Sequence, residues 1–278
     1  GLKSPSGPRA GKANLRCMSL PMPDRKTADL PGHWLFARLG KRVLRPGGLG
    51  LTHRMLTDAQ LAGADVVELA PGMGRTAKEI LQNSPGTYTG VEADENAADV
   101  VRSVVGERGR VVTGEASKTG LGADSADVVI GEAMLTMQTN AHKAEIMEEA
   151  FRVLRPGGRY AIHEMVLQPI DVPEAVKDEV RTALARSIKV NARPLTAAEW
   201  TELLTDAGFT VEKISYAPMA LLEPHRLIAD EGLVGALRFV FNVLRDSDAR
   251  ARVLNMRATF RRHRNNMAAI EVIAAKPA

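Results

Sequence analysis

From about Ala64 onward the chain alternates short β-branched runs with segments of helical periodicity, and no other feature narrows its possible folds so far. DVVEL, TYTGVE, RVVTG, DVVIG and RYAIHEM are five strand candidates, each apolar enough to be buried on both faces. TAKEILQNS, ENAADVVRSVV and HKAEIMEEAFRVL lie between them and carry apolar residues at helical spacing. Neighbouring parallel strands need crossover connections, so the alternation predicts an α/β fold built on a doubly wound, mostly parallel sheet.

Beyond the fifth strand, Pro173 opens a helix in PEAVKDEVRTALARSIKV. In LTAAEWTELLTDAGF, Thr196 and Glu199 form a capping box and Gly208 is the helix stop. TVEKISYA reads as a sixth strand and AAIEVIAAK as a seventh, with roughly fifty residues between them, enough for two or more helices. The expected organisation is a flexible arm over 1–30, an N-terminal helical cap over 31–63, a core over 64–215, a helical insertion over 216–267 that could act as a lid, and a final core strand over 268–278.

The heptapeptide RVLRPGG occurs twice, at Arg42–Gly48 and at Arg152–Gly158. The second copy ends the helix HKAEIMEEAFRVL: Arg155 suits the negative helix end, Pro156 bars continuation, and Gly157 or Gly158 supplies positive φ before the next strand. The first copy ends HWLFARLGKRVL but is followed by a helical pattern, and the upstream flanks do not match. The repeat therefore reads as a shared stop signal, not as a duplicated unit.

Lys+Arg at 37 against Asp+Glu at 33 is too mild an imbalance for a protein that coats nucleic acid. Cys17 is the sole cysteine, which rules out an intramolecular disulfide and any cysteine-cluster metal site. The six histidines are too scattered to supply a local ligand pair, so no metal is expected. No run of apolar residues is long enough for a membrane span, and the Pro-, Gly- and Ser-rich beginning lacks an apolar signal core. A cytoplasmic protein with a tail is the expectation.

The chemistry concentrates in VVELAPGMGRTAKEIL, where a buried strand ends at Glu68, small residues form a turn, and a helix starts at about Arg75. Such a turn lets a ligand approach backbone at the carboxyl edge of the sheet. In GVEADENA, Glu92 ends the second strand, where a carboxylate can accept both hydroxyls of a ribose. Neither GxGxxG nor a Gly-Lys-Ser/Thr phosphate loop is present.

These residues resemble the class I S-adenosylmethionine-dependent methyltransferases over most of Ala64–Phe209 and the final strand. Glu68-Leu-Ala70-Pro-Gly72-Met-Gly74 resembles the family's acidic, glycine-rich loop, Gly90-Val-Glu92 its ribose-binding strand end, and Gly114-Glu115-Ala116 its adenine-side turn. The stretches Ala123–Ile130 and Phe151–Gly158 match the approaches to strands four and five. The resemblance implies a seven-stranded Rossmann-like sheet and S-adenosylmethionine as cofactor. It places the methionine moiety at Glu68 and the loop Ala70, Gly72 and Gly74, the ribose at Glu92, and the adenine at Ala93, Gly114, Glu115 and Ala116. Ala70 stands where the family usually has its first glycine, so the loop is expected to hold that residue at negative φ.

A proton must leave when the methyl acceptor is a hydroxyl or amine, and Glu132, His163 and Glu164 at the carboxyl edge are the catalytic candidates. His163 and Glu164 are adjacent in a strand and face opposite ways. Motifs for amine methylation of bases or for cytosine C5 methylation are absent, so no DNA partner is expected. The insertion is rich in Met, Leu, Val and Phe in its first half and places Arg250, Arg257, Arg261 and Arg264 near one face in its second. A small, apolar or amphiphilic metabolite is the expected acceptor. The alternatives are a non-catalytic sensor or scaffold that only binds the nucleoside, and an RNA methyltransferase that uses the arginine-rich helix; anionic lipid is a further partner for that segment.

Overall fold

The computed structural model describes residues 26–41, 45–219 and 222–278. Most of the expected arm, Cys17 included, and Arg42–Leu44 of the first heptapeptide lie outside the described residues. Eight strands form one sheet: β1 (Asp65–Leu69), β2 (Thr87–Glu92), β3 (Arg110–Thr113), β4 (Ala126–Glu132), β5 (Leu154–Leu167), β6 (Leu195–Thr196), β7 (Thr210–Pro218) and β8 (Met267–Ala275). Their order is β3-β2-β1-β4-β5-β8-β7, with β6 added to the end of β5. All pairs are parallel except those of β8, which runs antiparallel between β5 and β7. The sheet thus has one strand more than the expected seven. The extra strand, β6, is two residues long, below the length at which a hydrophobic pattern can announce a strand.

The alternation of side chains along the strands divides the core in two. Val66, Tyr88, Val128, Ile130, Ala161 and Ile273 face α2 (Gly48–Asp58), α3 (Arg75–Gln82) and α4 (Glu95–Val105). Val67, Val91, Val129, Tyr160, Ile162 and Val272 face α5 (Asn140–Val153) and α7 (Ala197–Asp206). Caps match the local chemistry. Asp94 accepts from the Ala97 amide at 2.9 Å to start α4, and the Thr196–Glu199 capping box starts α7. Gly208, at φ +98°, ends α7 as read from the sequence.

A third apolar cluster sits at the carboxyl end of β5. It joins Leu35 and Phe36 of α1 (Gly32–Arg38), Val180 and Leu184 of α6 (Glu174–Ile188), Phe239 of α8 (Pro224–Arg245) and Phe260 of α9 (Ser247–Arg262) to Met165 and Leu167. Both α8 and α9 lie between β7 and β8, and α8 is broken at Gly232, whose φ is +73°. The expected 31–63 cap divides: α1 joins this carboxyl-edge cluster, whereas Met55 and Leu56 of α2 pack against the face of the sheet. The apolar stripe of α2 reads the same for either location, and only the sheet shows which surface it covers. The first helix also stops at Arg38, short of the expected RVL, because Gly40 takes a left-handed conformation at φ +93°.

Candidate functional site

The turn after β1 carries three residues in the left-handed region: Ala70 at φ +51°, Gly72 at +57° and Gly74 at +71°. This corrects the expectation of a negative φ at Ala70. The Ala70 amide donates to the Val91 carbonyl at 2.8 Å, which ties the turn to the end of β2 and holds a conformation that costs an alanine about 1–2 kcal/mol. A side chain at Gly74 would press on Val104 of α4, with its Cβ 3.1 Å from Val104 Cγ2. Small residues therefore keep the turn low, and an open cavity lies above it.

Ala70, Gly72, Glu92 and Glu132 line this cavity, with Arg45, Arg75, Met134 and Gln138 among the other walls. Glu92 is pinned by its own loop. Its carboxylate accepts from the Gly72 amide at 2.9 Å and from the Asp94 amide at 3.2 Å, while burial pushes its pKa above the usual range. The carboxylate keeps acceptor capacity for a ligand hydroxyl. A left-handed turn with exposed backbone and a carboxylate at the next strand end fit the nucleoside and amino-acid parts of S-adenosylmethionine.

The other cofactor candidates are not brought to this cavity. Glu68 is buried on the α2–α4 face and accepts from the Tyr88 hydroxyl at 2.7 Å. Burial pushes its carboxyl up to about 8, against the effect of that hydrogen bond, so Glu68 is largely neutral near pH 7. Gly74 lies at the helix start. Ala93 and Glu115 are exposed, and Gly114 and Ala116 are half-buried beyond β3; none of the four lines the cavity.

The catalytic candidates are all on β4 and β5, and each is already engaged. Glu132 ends β4 and receives Arg45, Thr52 and Thr76 side-chain donors. Its other neighbour is His163, with Nδ1 2.7 Å from Glu132 Oε1. Burial alone would raise the Glu132 pKa, but the Arg45 charge and the His163 hydrogen bond outweigh it and hold the carboxyl at about 2. His163 Nε2 is 2.6 Å from the Pro46 carbonyl. Both ring nitrogens thus face acceptor oxygens, and neither is free to take a proton from an acceptor.

Glu164 faces the other way, as strand geometry requires. Its carboxylate accepts from the amides of Met134 (2.9 Å), Leu135 (2.7 Å) and Thr136 (3.0 Å) and from the Thr136 hydroxyl (2.7 Å). It anchors the 3₁₀ turn Leu135–Met137 after β4, and burial raises its pKa. That turn begins at Ala133, a second left-handed alanine at φ +55°, whose amide donates to the His163 carbonyl at 2.8 Å. Strained alanines therefore follow β1 and β4, two of the strands whose ends border the cavity.

A second cavity, smaller and mostly apolar, adjoins the first and shares Ala133 and Met137 with it. Its walls come from Phe36 of α1, Met165 of β5, Ile188 of α6 and Phe260 of α9, with Glu164 at its base. Arg45 is the functional residue that sequence reasoning missed. The sequence shows it only as part of the repeated stop signal, and its proximity to Glu132, 87 positions away, reveals its place in the site.

A family model described as a methyltransferase domain matches residues 67–162. An uncharacterized protein of Haemophilus influenzae is 32% identical over 254 residues, which cover 89% of this chain and 99% of that one. A probable S-adenosylmethionine-dependent methyltransferase of Mycolicibacterium smegmatis is 30% identical over 154 residues, and the match spans 54% of each chain. Among solved structures, the [4+2]-cyclase SpnF superposes with a TM-score of 0.63 at 16% identity, covering 82% of this chain and 80% of that one, a likeness of fold alone.

Proposed function

The chain belongs to the class I S-adenosylmethionine-dependent methyltransferase family, and within it we propose an enzyme that methylates a small apolar or amphiphilic molecule. The observation that carries this reading is the apolar cavity sharing Ala133 and Met137 with the cavity over the glycine turn. S-adenosylmethionine, when bound, supplies a methyl group on a sulfonium for in-line displacement. The protein's part is alignment and exclusion of water, worth roughly 7–11 kcal/mol when the reacting atoms are held in line.

In this reading the backbone of Ala70 and Gly72 flanks the amino-acid part of the cofactor and Glu92 receives its ribose hydroxyls. Arg45 and Arg75 border the same cavity, Arg45 already paired with Glu132 and Arg75 with Glu79 at 3.1 Å. Met134, Met137 and Phe260 present soft, apolar surface to the acceptor. Glu132, His163 and Glu164 act as positioning residues, since their polar atoms hold the β4 and β5 ends together. No described side chain in the apolar cavity offers a free base, so the favoured acceptor is one whose lone pair needs no enzymic deprotonation.

Two measurements test this. Glu92→Ala is expected to weaken S-adenosylhomocysteine binding in calorimetry by about 1–3 kcal/mol, as loss of a charged hydrogen-bond partner does. Val190→Trp, which fills the apolar cavity from a half-buried loop position, is expected to abolish labelled methyl transfer to an apolar metabolite extract while cofactor binding persists. Transfer that is indifferent to Val190→Trp would place the acceptor elsewhere.

A further inference from the structure

Behind the apolar cavity lies a third, and the two share Met219 and Phe260. Its character is the reverse of its neighbour's. Arg257 and Arg261 project into it from successive turns of α9, Arg264 follows just beyond the helix end, and His225 comes from the first turn of α8. The one acid in the wall is Glu223, so three guanidinium groups face one carboxylate.

Glu223 does not use up these donors. It accepts from Arg257 Nη2 at 3.4 Å, from Arg261 Nε at 2.9 Å and from Arg261 Nη2 at 3.3 Å. Arg257 Nε is buried without a hydrogen-bond partner, an arrangement that costs free energy until an acceptor reaches it. Of the arginines expected on one face, Arg250 does not line this cavity, whereas Arg257, Arg261 and Arg264 do. Arg257, Arg261 and Arg264 share one concave wall that backs onto an apolar chamber, and guanidinium groups so placed suit charge-assisted hydrogen bonds to an anion.

We infer that the acceptor carries an anionic group, a carboxylate or phosphate, remote from the methylated atom, and that Arg257, Arg261, Arg264 and His225 hold it. The inference rests on the proposed function and deepens it. Three cavities follow one another: the glycine-turn cavity meets the apolar one at Ala133 and Met137, and the apolar one meets the basic one at Met219 and Phe260. An amphiphilic anion lying along this line presents its reacting end beside the cofactor, its hydrocarbon between the methionines, and its charge to the arginines. Arginine suits the last task because its planar fork matches two anion oxygens at once.

Titration of the full chain with decanoate and with decanol, below their aggregation limits and with or without S-adenosylhomocysteine, tests the inference. Decanoate is expected to bind at least tenfold more tightly than decanol, with an affinity that falls as sodium chloride rises. The double variant Arg257→Gln/Arg264→Gln is expected to bring the two affinities within about threefold of each other while decanol binding is unchanged. Glu223→Gln removes the competing carboxylate and is expected to strengthen decanoate binding, a gain that a purely structural role for Glu223 would not produce. Equal binding of decanoate and decanol, or a preference that survives in the double variant, would overturn the inference. Failure of S-adenosylhomocysteine to bind, read in its own titration, would instead remove the cofactor reading.

Discussion

Arg45-Pro46-Gly47-Gly48 and Arg155-Pro156-Gly157-Gly158 take the same four residues to opposite ends of one strand. Arg155 reaches the start of β4 and pairs with Asp127 at 2.7 Å, while bridging to Asp65 of β1 at 2.9 Å. Arg45 reaches the end of β4 and pairs with Glu132. The surroundings differ in kind. Arg155 is 38% exposed in its side chain and Arg45 only 4%. The glycines diverge as well: a Cβ on Gly157 would meet open space, whereas one on Gly47 would come 2.7 Å from Ala269 Cβ. The same four residues make a turn at Arg45–Gly48 and an irregularity at the start of β5 at Arg155–Gly158, and depth decided which is a surface clip and which is part of the site.

The comparison breaks most readily at the arginines. Arg45→Ala leaves Glu132 buried without its main counter-charge and is expected to cost about 3–5 kcal/mol of stability in urea denaturation. Arg155→Ala is expected to leave the midpoint near that of the parent, as a solvent-screened pair does. Equal losses would show that the two copies have the same role.

Acid titration sharpens the same contrast. Glu132 has a folded pKa of about 2 against an ordinary value of 4.5, so its stabilisation is present above pH 4.5 and is lost as pH falls towards 2. About 3 kcal/mol rides on this window. In the Arg45→Ala protein the loss should begin at higher pH, because the cation that lowers the Glu132 pKa is gone; an unshifted acid limb would mean that His163 and the two threonines suffice. The glycines give the smallest difference. Both sit at positive φ, +71° for Gly47 and +79° for Gly157, so alanine at either carries the backbone strain. Only Gly47→Ala adds a clash, and it is expected to be the worse of the two by about 1–3 kcal/mol in thermal or urea unfolding.

Much of the fold was legible because its signals are local. Buried strands, amphipathic helices, the Asp94 and Thr196 caps and the Gly208 stop act through neighbours a few residues apart, and the helix α4 matches its predicted bounds at Glu95–Val105. The turn and strand end that line the first cavity were legible for the same reason: Gly72 lies in the turn after β1 and Glu92 ends β2, positions that follow from the alternation. The network at Glu132 was not, since it joins Arg45, Thr52, Thr76 and His163 from four separate segments. Nor could sequence order show that Glu164 would bind the turn after β4 instead of facing a substrate as a free base.

The sequence by itself determined the α/β alternation, the glycine turn after β1 and the acidic end of β2, because each depends on periodicity or on a residue's own backbone freedom. Tertiary structure alone decided the sign of φ at Ala70, which the Val91 carbonyl holds, the burial of one RPGG arginine and the exposure of the other. It also set the line of three cavities that ends at Arg257. The physical reason is common to all of them: burial and electrostatic pairing depend on which distant segments share a volume, and that is set by the whole sheet.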